Sequence, residues 1–455
     1  MKYKAKHRVE GNTILDDIRC VLTSKPIVII LLVSAAIRVM IQFFLLPNSP
    51  SALGPDEGTY ASLAKYVSQG LPVEEFPVYG PVLYNSCRSI TLPSAFLIKL
   101  GLAELTAVRA ISSVYGITST LLLALCFIAY LRLRNKAVKI LSSTFSNRFI
   151  FMLGLFAFLP SNFVWSTIGL RESGSQFWLL ASFYLLLKLL NSTGIDSLKL
   201  TALSAIALTL AYGARPQTAL IFSVVSLFFS TAMLLKLRKP TLVIVFILAT
   251  LAGHAFTTTP TNPALPTNPA LPTNPTIPTS PTKFDVAKFF QSPSSVLSSA
   301  LRNLETKRNL NTLGAKSALP ISNCSSSSGE IANLVKCTLF ELPNRLFSFL
   351  FRPLNFFDQG STTLTLAALE NLVWLTLIPL SIWLSLRRRK SYVDRFIDLS
   401  LISFVVVFAS SAALYEGNIG TAFRHKSTIL WPIVFIIMIS SSFMPKLRRK
   451  IIPAT

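Results

Sequence analysis

The chain has 455 residues and a net charge of +24, yet only 14% of its side chains are charged, against about a quarter in a soluble domain. Mean hydropathy is +0.56, and apolar runs of about 20 residues, the length a helix needs to cross hydrocarbon, recur from end to end. This excludes an ordinary soluble domain. Because the basic residues cluster between apolar runs, the positive-inside pattern, it also argues against a nucleic-acid partner. The expected fold class is all-α: a polytopic transmembrane helical bundle of about ten crossings, with N and C termini cytoplasmic.

The basic tail 1–25 carries Lys2, Lys4, Lys6, Arg8, Arg19 and Lys25 and is expected in the cytoplasm. A first crossing over Pro26–Leu46 lacks a small-residue cleavage site and is expected to be retained. The outer loop 47–107 holds two amphipathic segments, Tyr60–Val67 and Leu92–Leu102, read as interfacial helices. Crossings two to seven are expected over Val108–Leu131, Phe149–Thr167, Ser173–Leu190, Leu198–Gly213, Thr218–Leu235 and Thr241–Phe256, completing a core over 26–256. Basic clusters at Arg132–Arg148 and Lys236–Lys239 mark one side. A Thr/Asn/Pro-rich tandem repeat over 257–282 is too rich in proline for helix or sheet and is expected to be a disordered spacer. The extracytoplasmic region 283–362 follows, with helical stretches Phe284–Leu313 and Glu330–Phe351. Crossings eight to ten, Thr363–Leu386, Phe396–Leu414 and Ser427–Phe443, occupy 363–445 before the basic tail 446–455.

The five cysteines include no Cys-x-x-Cys pair and the three histidines are far apart, so a zinc site is not expected. Cys324 and Cys337 share one outer loop, where a disulfide between them would leave Cys87 unpaired.

Chemistry-bearing residues gather in the outer loops. Gly54-Pro55-Asp56-Glu57-Gly58-Thr59-Tyr60 places two carboxylates at a helix start. One reading is capping, since acids favour helix N-termini; the other is a general base kept ionised at the membrane surface. Here the sequence resembles the first loop of the GT-C fold glycosyltransferases, membrane enzymes that use polyprenyl- or dolichyl-phosphate sugars on the extracytoplasmic face. Among them are dolichyl-phosphate-mannose mannosyltransferases and lipopolysaccharide core sugar transferases. The resemblance extends weakly to about Arg238. It implies a catalytic role for Asp56, with Glu57 beside it and Tyr60 in support.

In the family a second acid often follows crossing three; Glu172, in Gly169-Leu170-Arg171-Glu172-Ser173, would hold an acceptor or a divalent cation (Mg or Mn). The plainer reading of Arg171 and Glu172 is an interface anchor. Arg215 matches a basic position at the next outer turn, where a guanidinium would neutralise a donor phosphate; the plainer reading is headgroup contact. The last outer loop, Glu416 to Lys426, ends in Arg424, His425 and Lys426. Three such residues on the outside run against the positive-inside trend, so they bind donor phosphate or lipid, or else line a solvated loop. This loop, with Phe351-Arg352-Pro353 and Leu369-Glu370-Asn371, also resembles membrane proteins of polysaccharide assembly. Within predicted spans lie Arg38 and Glu370, which must face protein or water. They pair with each other, or Glu370 pairs with Arg352 or Arg424.

Three functions compete. The first is a glycosyltransferase moving sugar from a polyprenyl-phosphate donor to a glycan, lipid or protein acceptor. The second is a polymerase or ligase using lipid-pyrophosphate oligosaccharides. The third is a transporter or flippase, disfavoured because few charges lie mid-membrane and no duplicated halves are evident.

Overall fold

The computed structural model describes residues 13–46, 55–77, 80–134, 145–237, 240–257, 331–353, 362–387, 391–416 and 418–440. The repeat, Phe284–Leu313 and both terminal tails beyond these bounds lie outside the described residues. Among those described, the fold is helical with no strand. The helices are α1 (Ile14–Leu22), α2 (Lys25–Met40), α3 (Pro55–Ser68), α4 (Gly80–Lys99), α5 (Glu104–Arg134), α6 (Asn147–Phe158), α7 (Pro160–Thr167) and α8 (Arg171–Asn191). There follow α9 (Ile195–Tyr212), α10 (Pro216–Leu237), α11 (Pro240–Thr257), α12 (Ile331–Phe351), α13 (Thr362–Arg387), α14 (Tyr392–Tyr415) and α15 (Ile419–Met438).

Nine of the ten predicted crossings overlap one helix each, and the third covers α6 and α7 together. Helix α15 starts at Ile419, so most of the expected last outer loop is its first two turns; the ten are not equivalent. Six described helices are long and apolar enough to span a membrane, or seven if the bent pair α6–α7 is one span. The bend has a local cause. Leu159 precedes Pro160 and is held extended (φ −60°, ψ 130°), because proline's ring excludes the helical conformation before it. The two halves diverge by 46°. Side chains satisfy the backbone groups this frees. Asn162 Nδ2 donates to the Phe156 carbonyl at 2.7 Å, and the Ser161 amide donates to Glu370 Oε2 at 2.5 Å. Glu370, on α13, also accepts from the Trp374 indole at 2.7 Å. This buried carboxylate therefore caps a broken helix, and no bond from it to Arg38, Arg352 or Arg424 is present among the described residues. Arg38, fully buried, instead donates to Ser166 Oγ at 2.9 Å and to Ser34, with its guanidinium 4.3 Å over the Phe163 ring. Gly116 makes room for that contact: a Cβ there would stand 2.6 Å from Ser166.

The first outer segment also corrects the sequence reading. Helix α4 begins at Gly80, not near Leu92, and is broken at Cys87 (φ −141°). The Tyr60–Val67 stripe does face inward. Tyr60, Leu63 and Ala64 pack with Cys87, Ile90, Val108, Ile168 and Leu170 in a small core of their own. Cys337 is disulfide-bonded and Cys20, Cys87 and Cys126 are free thiols; Cys324 lies outside the described residues.

Helix α5, at 31 residues, extends about 46 Å at 1.5 Å per residue, longer than the ~30 Å that a bilayer's hydrocarbon requires. Its C-terminal arginines are tied down. Asp17 of α1 meets Arg132 and Lys188, each at 3.0 Å, and accepts from the Tyr184 hydroxyl at 2.7 Å. Asp394, the capping-box acid of α14, accepts from Tyr130 at 2.5 Å and lies 3.6 Å from Arg134. In the bundle centre, Phe183, Phe222, Phe404 and Trp431 pack ring against ring, with centroids 5.2–6.3 Å apart.

Candidate functional site

Four helices start at one place, at the end of the bundle opposite Arg132 and Arg134. Asp56 lies in the first turn of α3, Glu172 in the first turn of α8, Arg215 immediately before α10, and Arg424 in the second turn of α15. Helix N-termini carry partial positive charge and unpaired amides, so their convergence favours anions before any side chain is counted.

The side chains form one chain of ion pairs. Asp56 Oδ2 accepts from Arg424, whose Nε lies 3.0 Å from Glu172 Oε1. The same oxygen is 3.1 Å from Arg215. Arg215 then meets His425 Nε2, and His425 Nδ1 faces Glu416, with the Tyr415 hydroxyl 3.3 Å away. The histidine's state follows from its partners. A guanidinium has only protons to give, so Nε2 accepts, and the imidazole is neutral with its proton on Nδ1, the nitrogen that faces Tyr415 and Glu416. Arg171 is anchored to α4 by a 2.9 Å bond to Ser86 Oγ and acts electrostatically on both Asp56 and Glu172.

Asp56 is the open member of the cluster, its side chain 42% exposed while Glu172 and His425 are buried. Burial alone would raise its carboxyl pKa, but Arg424, with Arg171 and Arg215 beyond, outweighs this and holds it below the usual carboxylate range. Asp56 is thus ionised, as a proton acceptor must be. The phenol of Tyr60, buried beneath it, is pushed upward by desolvation and stays protonated.

Several sequence candidates do not join the cluster. Glu57 points the other way and is chelated by Arg109 of α5, Nε to Oε1 at 2.6 Å and a second nitrogen to Oε2 at 3.2 Å. Consecutive helical residues point about 100° apart, so one acid of the pair faces the cluster and the other locks α3 to α5. Gly169 completes that lock: φ is +75°, and a Cβ would stand 2.9 Å from Val108 and 3.3 Å from Glu57. Lys426 also turns away, donating to Asn371 Oδ1 at 2.7 Å and the Arg352 carbonyl at 3.2 Å. Arg38 and Glu370 serve α7, as described above.

A divalent ion does not fit these residues. Among the described residues no group of three His, Cys, Asp or Glu side chains is placed to hold a metal. Glu172 is already flanked by two guanidiniums, which would repel a cation. Sequence reasoning passed over Arg109, Tyr415 and Glu416. The one available signal was that Arg109 is a charge at the edge of an apolar run. No family model, curated protein or solved structure matches the chain.

Proposed function

We propose that the protein is an integral membrane glycosyltransferase, taking a sugar from a polyprenyl-phosphate donor and passing it to an acceptor hydroxyl on the extracytoplasmic face. In this reading the chain crosses the membrane ten times, both termini are cytoplasmic, and the four converging helix starts lie outside. The observation that carries the reading is the contact between Asp56 and Arg424, an ionised acid with an open face joined to a cluster of cations.

An acceptor hydroxyl at Asp56 would lose its proton to the free carboxylate oxygen as its own oxygen bonds to the anomeric carbon. The bond from that carbon to the phosphate oxygen breaks, leaving polyprenyl phosphate. Arg171, Arg215 and Arg424, with the helix starts behind them, offset the charge that gathers on the departing oxygen. Asp56 has no other task in this scheme, whereas Glu172 and His425 orient the arginines.

Purified protein in nanodiscs, given polyprenyl-phosphate monosaccharides and membrane glycan acceptors, should release polyprenyl phosphate with the wild-type chain and not with Asp56→Asn. Full activity of that variant would remove the assignment. Translocation of the lipid with no sugar transferred would replace the enzyme by a flippase.

A further inference from the structure

Beneath the ion cluster lies a layer of polar groups that structure alone does not explain. Helices α8, α10 and α15 run side by side in one direction from the cluster into the bundle, and their register can be read from contacts at two levels. Glu172, Arg215 and Arg424 meet at the top; Phe183, Phe222 and Trp431 meet below. Between these levels, on the same helix faces, lie Gln176, four residues after Glu172 and seven before Phe183, and Thr218, four before Phe222. Both are buried, yet Gln176 Nε2 and Thr218 Oγ1 have no hydrogen-bond partner. The same is true of the Trp431 indole nitrogen below them and of Glu172 Oε2 above. Unpaired buried donors cost about 1–3 kcal/mol each, and an apolar residue of similar shape would remove that cost. Other buried atoms of the bundle, Trp165 Nε1 and Trp178 Nε1 among them, also lack a partner, but these four lie on three helices whose contacts above and below meet on one axis, where a single ligand could pair with all of them.

We propose that Gln176, Thr218, Trp431 and Glu172 Oε2 form a subsite for the hydroxyl groups of a sugar ring, seated between the ion cluster and the aromatic floor. The chemistry suits a polyol. An amide donor, an indole donor, a hydroxyl and a carboxylate acceptor match alternating hydroxyls, and aromatic rings below match the ring's C–H face. The position, one helical turn below the cations, would let a phosphate sit among Arg171, Arg215 and Arg424 while its sugar points inward. The subsite rests on the glycosyltransferase reading and specifies which part of the donor the protein recognises.

The test is binding to the full-length protein in nanodiscs, with bare polyprenyl phosphate compared against polyprenyl-phosphate pyranosides and furanosides. The wild-type chain should bind at least one sugar-bearing lipid about tenfold or more tighter than the bare lipid. Gln176→Leu with Thr218→Val should erase that increment and leave binding of bare polyprenyl phosphate unchanged. The double variant should also melt no lower than wild type, since it removes only unpaired groups; a merely structural role would lower its Tm. An increment that survives in the variant, or a lowered Tm, overturns the subsite and leaves the transferase reading standing. No increment with any sugar-bearing lipid overturns both.

Discussion

The two ends of the bundle hold the same kinds of residue and use them differently. At one end Asp17 and Asp394 are fully buried, each set on or beside a helix start, and each shared between a tyrosine hydroxyl and basic side chains of α5 or α8. At the other end Asp56 and Glu172 also stand at helix starts among arginines, but Asp56 keeps an open face, 42% exposed, where Asp17 and Asp394 have none. Charge alone therefore does not mark a site. What separates the clusters is whether the carboxylates are consumed by the fold. A sealed pair ties helices together, and a carboxylate with an open face can meet something else.

Substitutions that strike the sealed cluster should have the largest effect on stability. Asp17→Asn leaves Arg132 and Lys188 facing a neutral group, and breaking a buried pair of this kind costs about 3–5 kcal/mol. Labelling of the buried thiols Cys20, Cys87 and Cys126 during a thermal ramp would read this as a large fall in Tm. Asp56→Asn should leave Tm almost unchanged, because a partly exposed ion pair contributes about 1 kcal/mol or less, while transfer falls by about 10²–10⁴. The comparison collapses if these two outcomes are exchanged. Glu57→Gln lies between them. It preserves shape but weakens the bidentate grip of Arg109, at a cost of about 2 kcal/mol, and should slow transfer less than Asp56→Asn does.

How much of this was legible in the sequence depends on what each residue's neighbours are. Apolar periodicity is local, so the expected crossings overlap helices, and Tyr60–Val67 lies within one; that its apolar face packs on a small protein core was not read from the sequence, which took it for an interfacial helix. The sequence put Asp56, Glu172, Arg215 and Arg424 in segments expected on one side of the bundle, and the structure sets them at helix starts that meet there. What could not be read is direction. Asp56 and Glu57 are equivalent in sequence, and only the presence of Arg109, 52 positions away, decides which is buried. Arg424 and Lys426 are likewise indistinguishable until α13 supplies Asn371 to the lysine. The break before Pro160 had a visible cause, but its compensation by Glu370, 209 positions distant, did not.

The smallest expected effect is a pH dependence in the open cluster. Glu416, between α14 and α15, faces His425, Tyr415, Arg215, Arg424 and Glu172. Burial raises its carboxyl from 4.5 to about 7, although Arg215 and Arg424 pull in the opposite direction. The folded chain then holds a proton that the unfolded chain has lost, so stability falls as pH rises from about 5 to about 7 and levels off above that. The contribution to the slope is at most about 1.4 kcal/mol per pH unit. Asp56 has the opposite sign: its lowered pKa contributes stability that disappears only in acid, as pH falls below the usual carboxylate range. Subtracting the Tm-versus-pH curve of Glu416→Gln from that of wild type isolates the first contribution. A difference that is flat, or that rises with pH, would mean that Glu416 is ionised in the folded chain. The distinction between an open and a sealed cluster would then be confined to Asp56.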